Sequence, residues 1–320
     1  MPTPIPAPRE SGLTTTTSAP LYWAAWGPAD GPRLVVLHGG PGAHHDYLLP
    51  QMLRLAERYD ALFYDQRGGG RSRTDDLTPI TWRTQADDLA RVVDELAPGP
   101  LHLVGYSWGG LLALLYALDA AGAAPSVVGA PLDQMRARTR PRAPASLTLI
   151  DPAPIARADR AAFEGEFLRR QSGHAVQTLR AELAASGLRE RDPEAYRQRA
   201  FELSVAGYFF DPAASHDLTP FRVTGRVQQS VWESLGEYDL EPALASIACP
   251  TLVVHGREDP IPLASSERAV AAMPDARLVV LERCGHVPYV EQPDALWAAV
   301  EPFLRDVVGE RSASGRLAVG

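Results

Sequence analysis

The sequence predicts an α/β fold: a mostly parallel central sheet with helices on both faces and an inserted helical cap. Three observations predict it. Short apolar runs alternate with segments of helical periodicity, as in a doubly wound sheet. Most of those runs are continuously apolar rather than alternating, as strands covered on both faces are. Residues 154–246 break the alternation with helical pattern and no parallel-strand run.

Residues 1–18 read as a mobile Pro/Thr tail. They lack the basic start and apolar run of a secretory signal. A first core part, 19–153, supplies five strand-like runs: LYWAAWG (21–27), RLVVLHG (33–39), ALFYD (61–65), LHLVGY (101–106) and SLTLIDP (146–152). Within it, residues 82–97 place Ala86, Leu89, Val92, Val93 and Leu96 on one helical face. Residues 121–145, rich in Ala, Pro and Arg, read as a long surface loop. The cap is expected over 154–246. A second core part, 247–308, holds TLVVHG (251–256), RLVVLE (277–282) and a last helix over 294–308. That helix turns Ala295, Leu296, Ala299, Val300, Phe303 and Leu304 inward. Residues 309–320 read as a frayed tail.

At 320 residues and 45% hydrophobic, the chain can bury one large core. A net charge of −8 argues against nucleic acid as a partner, because phosphate binding wants a basic face. All 31 basic residues are arginine, a bias that a GC-rich coding sequence explains. It also excludes Schiff-base lysine catalysis and a P-loop lysine. Cys249 and Cys284 flank neighbouring strands at opposite ends. A six-residue strand spans about 20 Å, too far for a disulfide. A reducing compartment, the cytoplasm, is expected. No apolar run reaches membrane-spanning length. The expected partner is therefore a small molecule or short peptide, with no nucleic acid and no membrane. Oligomeric state is not set by these features.

The chemistry concentrates at strand ends. Gly105-Tyr106-Ser107-Trp108-Gly109 fits G-x-S-x-G, with a strand before it and an apolar helix directly after. That is the setting of a nucleophile elbow. A serine N-cap explains the same five residues equally well. A hydroxyl nucleophile needs a base, and the base needs an orienting acid. Asp259 follows the strand TLVVHG, and His286 follows RLVVLE. The order Ser, Asp, His suits an elbow of this kind, and all three sit at the carboxyl ends of strands, where ligands bind open α/β sheets. The convergence of the three favours Ser107 as nucleophile. LHGGPG (37–42) ends another strand on the same edge. Its glycines let backbone N–H groups turn toward the serine, so Gly40 and Trp108 are the expected oxyanion donors. His255 reads as a supporting residue. His44-His45-Asp46 does not read as a metal site, because adjacent residues seldom converge on one ion. No metal and no cofactor are implied.

The sequence resembles the α/β-hydrolase family, and within it the prolyl iminopeptidase-like serine peptidases. The resemblance rests on HGGPGAHHDYL (38–48), DQRGGGRS (65–72), GYSWGG (105–110) and the loops of Asp259 and His286. It implies the α/β-hydrolase fold and the triad Ser107, Asp259 and His286. Gly40 and Trp108 would form the oxyanion hole, with Asp65 and Arg67 bracing loops. It implies an aminopeptidase that releases an N-terminal residue, often proline, and holds the free amine with acidic side chains.

The chain departs from that pattern. Pro260 stands where a glutamate can follow the aspartate, and a gapless count puts Gln228 at the position of a cap glutamate. Glu202, Glu233 and Glu237 are the candidate substitutes. Tyr208 and Trp232, with Phe201, Phe209 and Phe210, are candidates for an apolar pocket. The site expectation is therefore Gln228, Trp232, Glu233 and Tyr208 around the substrate. Aminopeptidase action is the leading reading, and a carboxylesterase or lactone hydrolase on a small neutral acyl group is the alternative. A silent ligand-binding homologue is the third. Epoxide and haloalkane hydrolysis are disfavoured, since they call for a carboxylate where Ser107 stands.

Overall fold

The structure, a computed structural model, describes residues 5–123 and 141–314. Among these residues are eight strands: β1 (Glu10–Leu13), β2 (Tyr22–Trp26), β3 (Arg33–Leu37), β4 (Asp60–Tyr64), β5 (His102–Tyr106), β6 (Ser146–Ile150), β7 (Thr251–Gly256) and β8 (Ala276–Leu281). They form one sheet in the order β1-β2-β4-β3-β5-β6-β7-β8. The pairs β1–β2 and β2–β4 are antiparallel. All pairs from β4 to β8 are parallel.

The apolar runs explain why the sheet lies inside the molecule. Val35, Leu37, Leu103, Leu147 and Val253 join one hydrophobic cluster. Their neighbours Leu34, Val36, Val104, Ile150 and Leu252 join a second one. Alternate residues point to opposite faces of a strand, so a continuous apolar run feeds both. Each such side chain contributes about 1.5–3 kcal/mol on burial.

Ten α-helices among the described residues accompany the sheet: α1 (Trp82–Leu96), α2 (Trp108–Ala121), α3 (Arg157–Gln171), α4 (His174–Ala185), α5 (Leu188–Arg191), α6 (Pro193–Val205), α7 (Gly225–Ser234), α8 (Leu263–Ala272), α9 (Pro288–Glu291) and α10 (Pro293–Ser314). Thr81 caps α1 in a reciprocal box with Thr84, satisfying two N–H groups that the helix cannot. The helix α2 is apolar on every side and buried along nearly its whole length, as a helix packed within the core must be. Residues 154–246 supply α3 to α7 and, among the described residues, no strand of the sheet.

The chain ends differ from expectation. Residues 10–13 of the expected mobile tail form β1 and pair along β2. The free edge of β2 offers unpaired backbone groups, and the tail covers them. Arg9 then reaches Asp60 at 2.6 Å, and Thr15 and Thr16 bond to Glu95. At the other end, helix α10 continues through Ser314 rather than fraying at 309. Within it, Ala295 is exposed and Trp297 is buried in its place. Most of the expected surface loop over 121–145 lies outside the described residues, as do 1–4 and 315–320.

Candidate active site

The strand β5 stops at Tyr106, and α2 starts at Trp108. Ser107 alone makes the turn, with φ 53°. A left-handed backbone is costly for a residue with a side chain. It persists because the surroundings pin it. Ser107 N–H donates to the Ile150 carbonyl at 2.9 Å, and the Ser107 carbonyl accepts from Gly110 and Ala153, each at 2.9 Å. A β-carbon on Gly109 would lie 2.1 Å from the Leu37 carbonyl, and one on Gly105 would lie 2.5 Å from the Gly109 carbonyl. The two glycines of the motif are therefore demanded by close approach of backbone to backbone.

Ser107 Oγ stands 2.9 Å from His286 Nε2. His286 Nδ1 stands 2.7 Å from Asp259 Oδ2. The other Asp259 oxygen accepts the Ile261 N–H at 2.7 Å. The three side chains come from the loops after β5, β7 and β8, on one edge of the sheet. The His286 ring is flanked by Tyr106 and Tyr208, with centroids at 5.3 and 5.1 Å. Burial holds the His286 imidazole below its ordinary range and pushes the Asp259 carboxyl upward, because a low dielectric disfavours both charged forms. A neutral imidazole is the form that can accept a proton.

The backbone N–H groups of Gly40 and Trp108 have no acceptor among the described residues, and both residues line the cavity at Ser107. Beside them, Tyr47 Oη accepts the Gly39 N–H at 2.7 Å, which braces the loop. The Trp108 indole N–H donates to Gln66 at 2.9 Å.

The cavity has a volume of about 130 Å³. Gln228, Trp232 and Tyr208 line it, as expected, joined by Phe163, Phe221 and Ile261. Glu233 does not. It is exposed and accepts from Gln229 at 2.7 Å. Gln228 and Trp232 are four residues apart on α7 and share a face, whereas Glu233 is turned about 100° further round. Glu202 is buried between Gln198 and Arg199, away from the cavity. Glu237 is exposed. Among the expected cap aromatics, Phe201, Phe209 and Phe210 do not line the cavity. Phe209 packs in the core instead. Among the described residues that line the cavity there is no aspartate, glutamate or arginine, and burial keeps His286 neutral.

Glu291 and Asp151 support the site without a reading in the sequence, whereas His255, Asp65 and Arg67 were expected to support or brace loops. Glu291 accepts the N–H groups of Gly285 and Phe210, both at 2.7 Å, tying the His286 loop to the cap. Burial pushes its carboxyl up to about 7. Asp151, at the end of β6, is fully buried beside Asp259. Its available signal was a carboxylate closing a strand on the reactive edge. His255 supports the Asp259 loop. Its Nε2–H donates to the Ile261 carbonyl at 3.1 Å, and its Nδ1 accepts from Ser266 at 2.9 Å. Asp151, His255 and Asp259 offer donor atoms within 4.8 Å of one another. Both His255 nitrogens are already engaged, however, and Asp259 faces His286, so the set does not fit a metal ion. His45, for its part, is bound to Asp65 at 2.7 Å, and Arg67 to Asp88 at 2.7 Å. These residues brace loops away from the cavity.

The model of the alpha/beta hydrolase family matches residues 34–299. The chain belongs to the alpha/beta hydrolase family. This hydrolase is 26% identical over 288 residues to a proline iminopeptidase of Heyndrickxia coagulans, covering 87% of this chain and 92% of that one. Among solved structures it is similar to the proline iminopeptidase of Mycobacterium smegmatis, with TM-score 0.64 and 21% identity, over 93% of this chain and 98% of that one. The enol-lactonase of Burkholderia xenovorans LB400 is similar at TM-score 0.60 and 20% identity, over 92% and 99% of the two chains. At these identities the structural likenesses speak to the fold. No helix among the described residues of the hydrolase is long and apolar enough to cross a membrane.

Proposed function

We propose that the protein is a serine hydrolase that acts on small uncharged carboxylic esters. One observation carries the substrate reading: the cavity at Ser107 is aromatic, aliphatic and amide-lined, with no carboxylate and no guanidinium. A substrate amine buried there would lack a counter-charge, which is strongly unfavourable. A cavity of about 150 Å³ holds a benzene molecule, so one of about 130 Å³ suits a short acyl group.

In this reading Ser107 Oγ attacks the ester carbonyl while His286 Nε2 takes its proton. Asp259 accepts the Nδ1–H and holds the ring in that tautomer. The N–H groups of Gly40 and Trp108 meet the developing oxyanion, each worth about 3 kcal/mol. His286 then passes its proton to the departing alkoxide. Water, deprotonated by the same imidazole, attacks the acyl-enzyme and releases the acid. The core is taken as 19–153 with 247–308, and the cap, which selects the acyl group, as 154–246. Cys284 is a buried free thiol, which suits a reducing compartment, and we place the enzyme in the cytoplasm.

The second reading is an aminopeptidase for N-terminal proline. The proline iminopeptidases among the relatives favour it. Gln228 at the cavity and Pro260 beside Asp259 count against it, since neither supplies a charge for the amine.

A paired panel of p-nitrophenyl acyl esters and aminoacyl arylamides tests both. Ester turnover should dominate and fall on the order of 10⁴-fold in Ser107→Ala. Arylamide turnover above ester turnover overturns the substrate class. Ester turnover that survives Ser107→Ala overturns the nucleophile.

A further inference from the structure

Asp151 is a carboxyl group with no arginine partner among the described residues. It is fully buried. The groups that face it are Asp259, His286, His255, Cys284, Tyr106 and Tyr289. Burial lowers both histidines and keeps them neutral. Burial also raises the Cys284 thiol and both tyrosines, so these stay protonated. Arg170 acts on Asp259, but its guanidinium is held by Glu166 and the Glu258 carbonyl.

One Asp151 oxygen accepts the Gly256 N–H at 2.8 Å. The other, Oδ2, has no N–H or hydroxyl donor among the described residues. The carboxyl group that faces it is that of Asp259, with an oxygen of each within 4.8 Å of the other. Two ionised carboxylates in that position would repel without a counter-ion, both being buried. One proton shared between them removes the repulsion and fills the vacant hydrogen bond. The backbone of Asp151 is left-handed, with φ 40°. Strain of that kind in a residue with a side chain persists where surrounding structure requires its position.

We propose that Asp151 is a positioning residue: as a neutral carboxylic acid it donates a hydrogen bond to the Asp259 carboxylate and so holds Asp259 against His286. The inference rests on the serine-hydrolase reading above, since it concerns the acid of that triad. Its chemistry is simple. The Asp151 proton stays on Asp151, the Asp259 lone pair accepts it, and the Asp259 charge remains available to the Nδ1–H of His286. The bond also draws charge from Asp259, so it moderates how far Asp259 raises the basicity of His286.

The test uses the full chain and two substitutions. Asp151→Asn keeps a donor in the form of an amide N–H, whereas Asp151→Ala removes it. Asp151→Ala should lower kcat for a p-nitrophenyl ester about tenfold with KM within twofold, and move the acid limb of kcat/KM to higher pH. Asp151→Asn should recover most of the lost kcat and leave the acid limb in place. A limb that moves to lower pH in Asp151→Asn means that Asp151 was ionised, and overturns the proposal. Equal kcat loss in both variants, with lowered thermal stability alone to show for it, assigns Asp151 a structural role and overturns it too. An infrared readout separates this from the fate of the nucleophile. At pH 8 the carbonyl stretch of a protonated carboxylic acid should appear in wild type and in Ser107→Ala, and vanish in Asp151→Asn. Its absence from wild type, or its persistence in Asp151→Asn, overturns the inference whatever Ser107 does.

Discussion

The His286 backbone N–H donates to the Tyr208 carbonyl at 2.7 Å, and the two rings pack at a tilt of 31° with centroids 5.1 Å apart. A residue between β6 and β7 thus sets the pose of a residue after β8. The base does not belong to the sheet edge alone.

The Tyr208 ring is the first thing to remove. Tyr208→Phe keeps the packing, and the Tyr208 hydroxyl makes no hydrogen bond among the described residues. It should retain ester hydrolysis within about twofold. Tyr208→Ala leaves one face of the imidazole unsupported. A ring held loosely spends less time in the productive pose, and a misplacement of about 1 Å can cost about 10²-fold. A kcat loss of about tenfold or more is expected. Equal activity in the two variants would show that the ring does not orient His286.

Burial fixes the sign of the pH dependence. His286 must be neutral to take the Ser107 proton, and burial depresses its protonation below the ordinary imidazole value of about 6.5. Activity should therefore be present above 6.5 and lost only as pH falls below it. A kcat/KM profile for a neutral ester, measured from pH 4 to 9, reads this directly. An acid limb centred above 7 would mean that Asp259 raises His286 more than burial lowers it.

Backbone contact at the elbow makes a stability prediction. A β-carbon on Gly109 meets the Leu37 carbonyl at 2.1 Å, and neither backbone can give way without shifting β3 against α2. Gly109→Ala should cost about 1–3 kcal/mol. Urea unfolding should show a lower midpoint with an unchanged slope. An unchanged midpoint would mean that the strand and helix separate freely.

The neutrality of the cavity can be reversed at one position. The Gln228 side chain lines it and has no hydrogen-bond partner among the described residues. Gln228→Glu supplies the charge that a substrate amine needs. The ratio of prolyl arylamide to neutral ester turnover should rise about tenfold, equal to about 1.4 kcal/mol. No change in the ratio would mean that the amine does not reach this side of the cavity.

Much of this was legible in the chain. Continuous apolar runs of five to seven residues bounded by turn residues suit strands with both faces covered, and the positions of β2 to β8 follow from them to within a residue or two. Ser107, Asp259 and His286 each follow such a run, so their shared edge follows from parallel pairing. The edge strand β1 was not legible. ESGL carries no apolar pattern, and it pairs only because β2 leaves an open edge. Glu233 was misread because nearness in sequence is not nearness on a helix, where neighbours are turned about 100° apart.

By itself, the sequence determined which residue types are available at each strand end, because periodicity and turn chemistry are local. Local signals cannot say which strands become neighbours. The order β5-β6-β7-β8 brings Asp151 beside Asp259 and sets Tyr208 under His286. It also leaves the cavity at Ser107 without a carboxylate or guanidinium among the described residues that line it. Those relationships join residues far apart in the chain. Only tertiary packing, driven by burial of the apolar runs, could decide them.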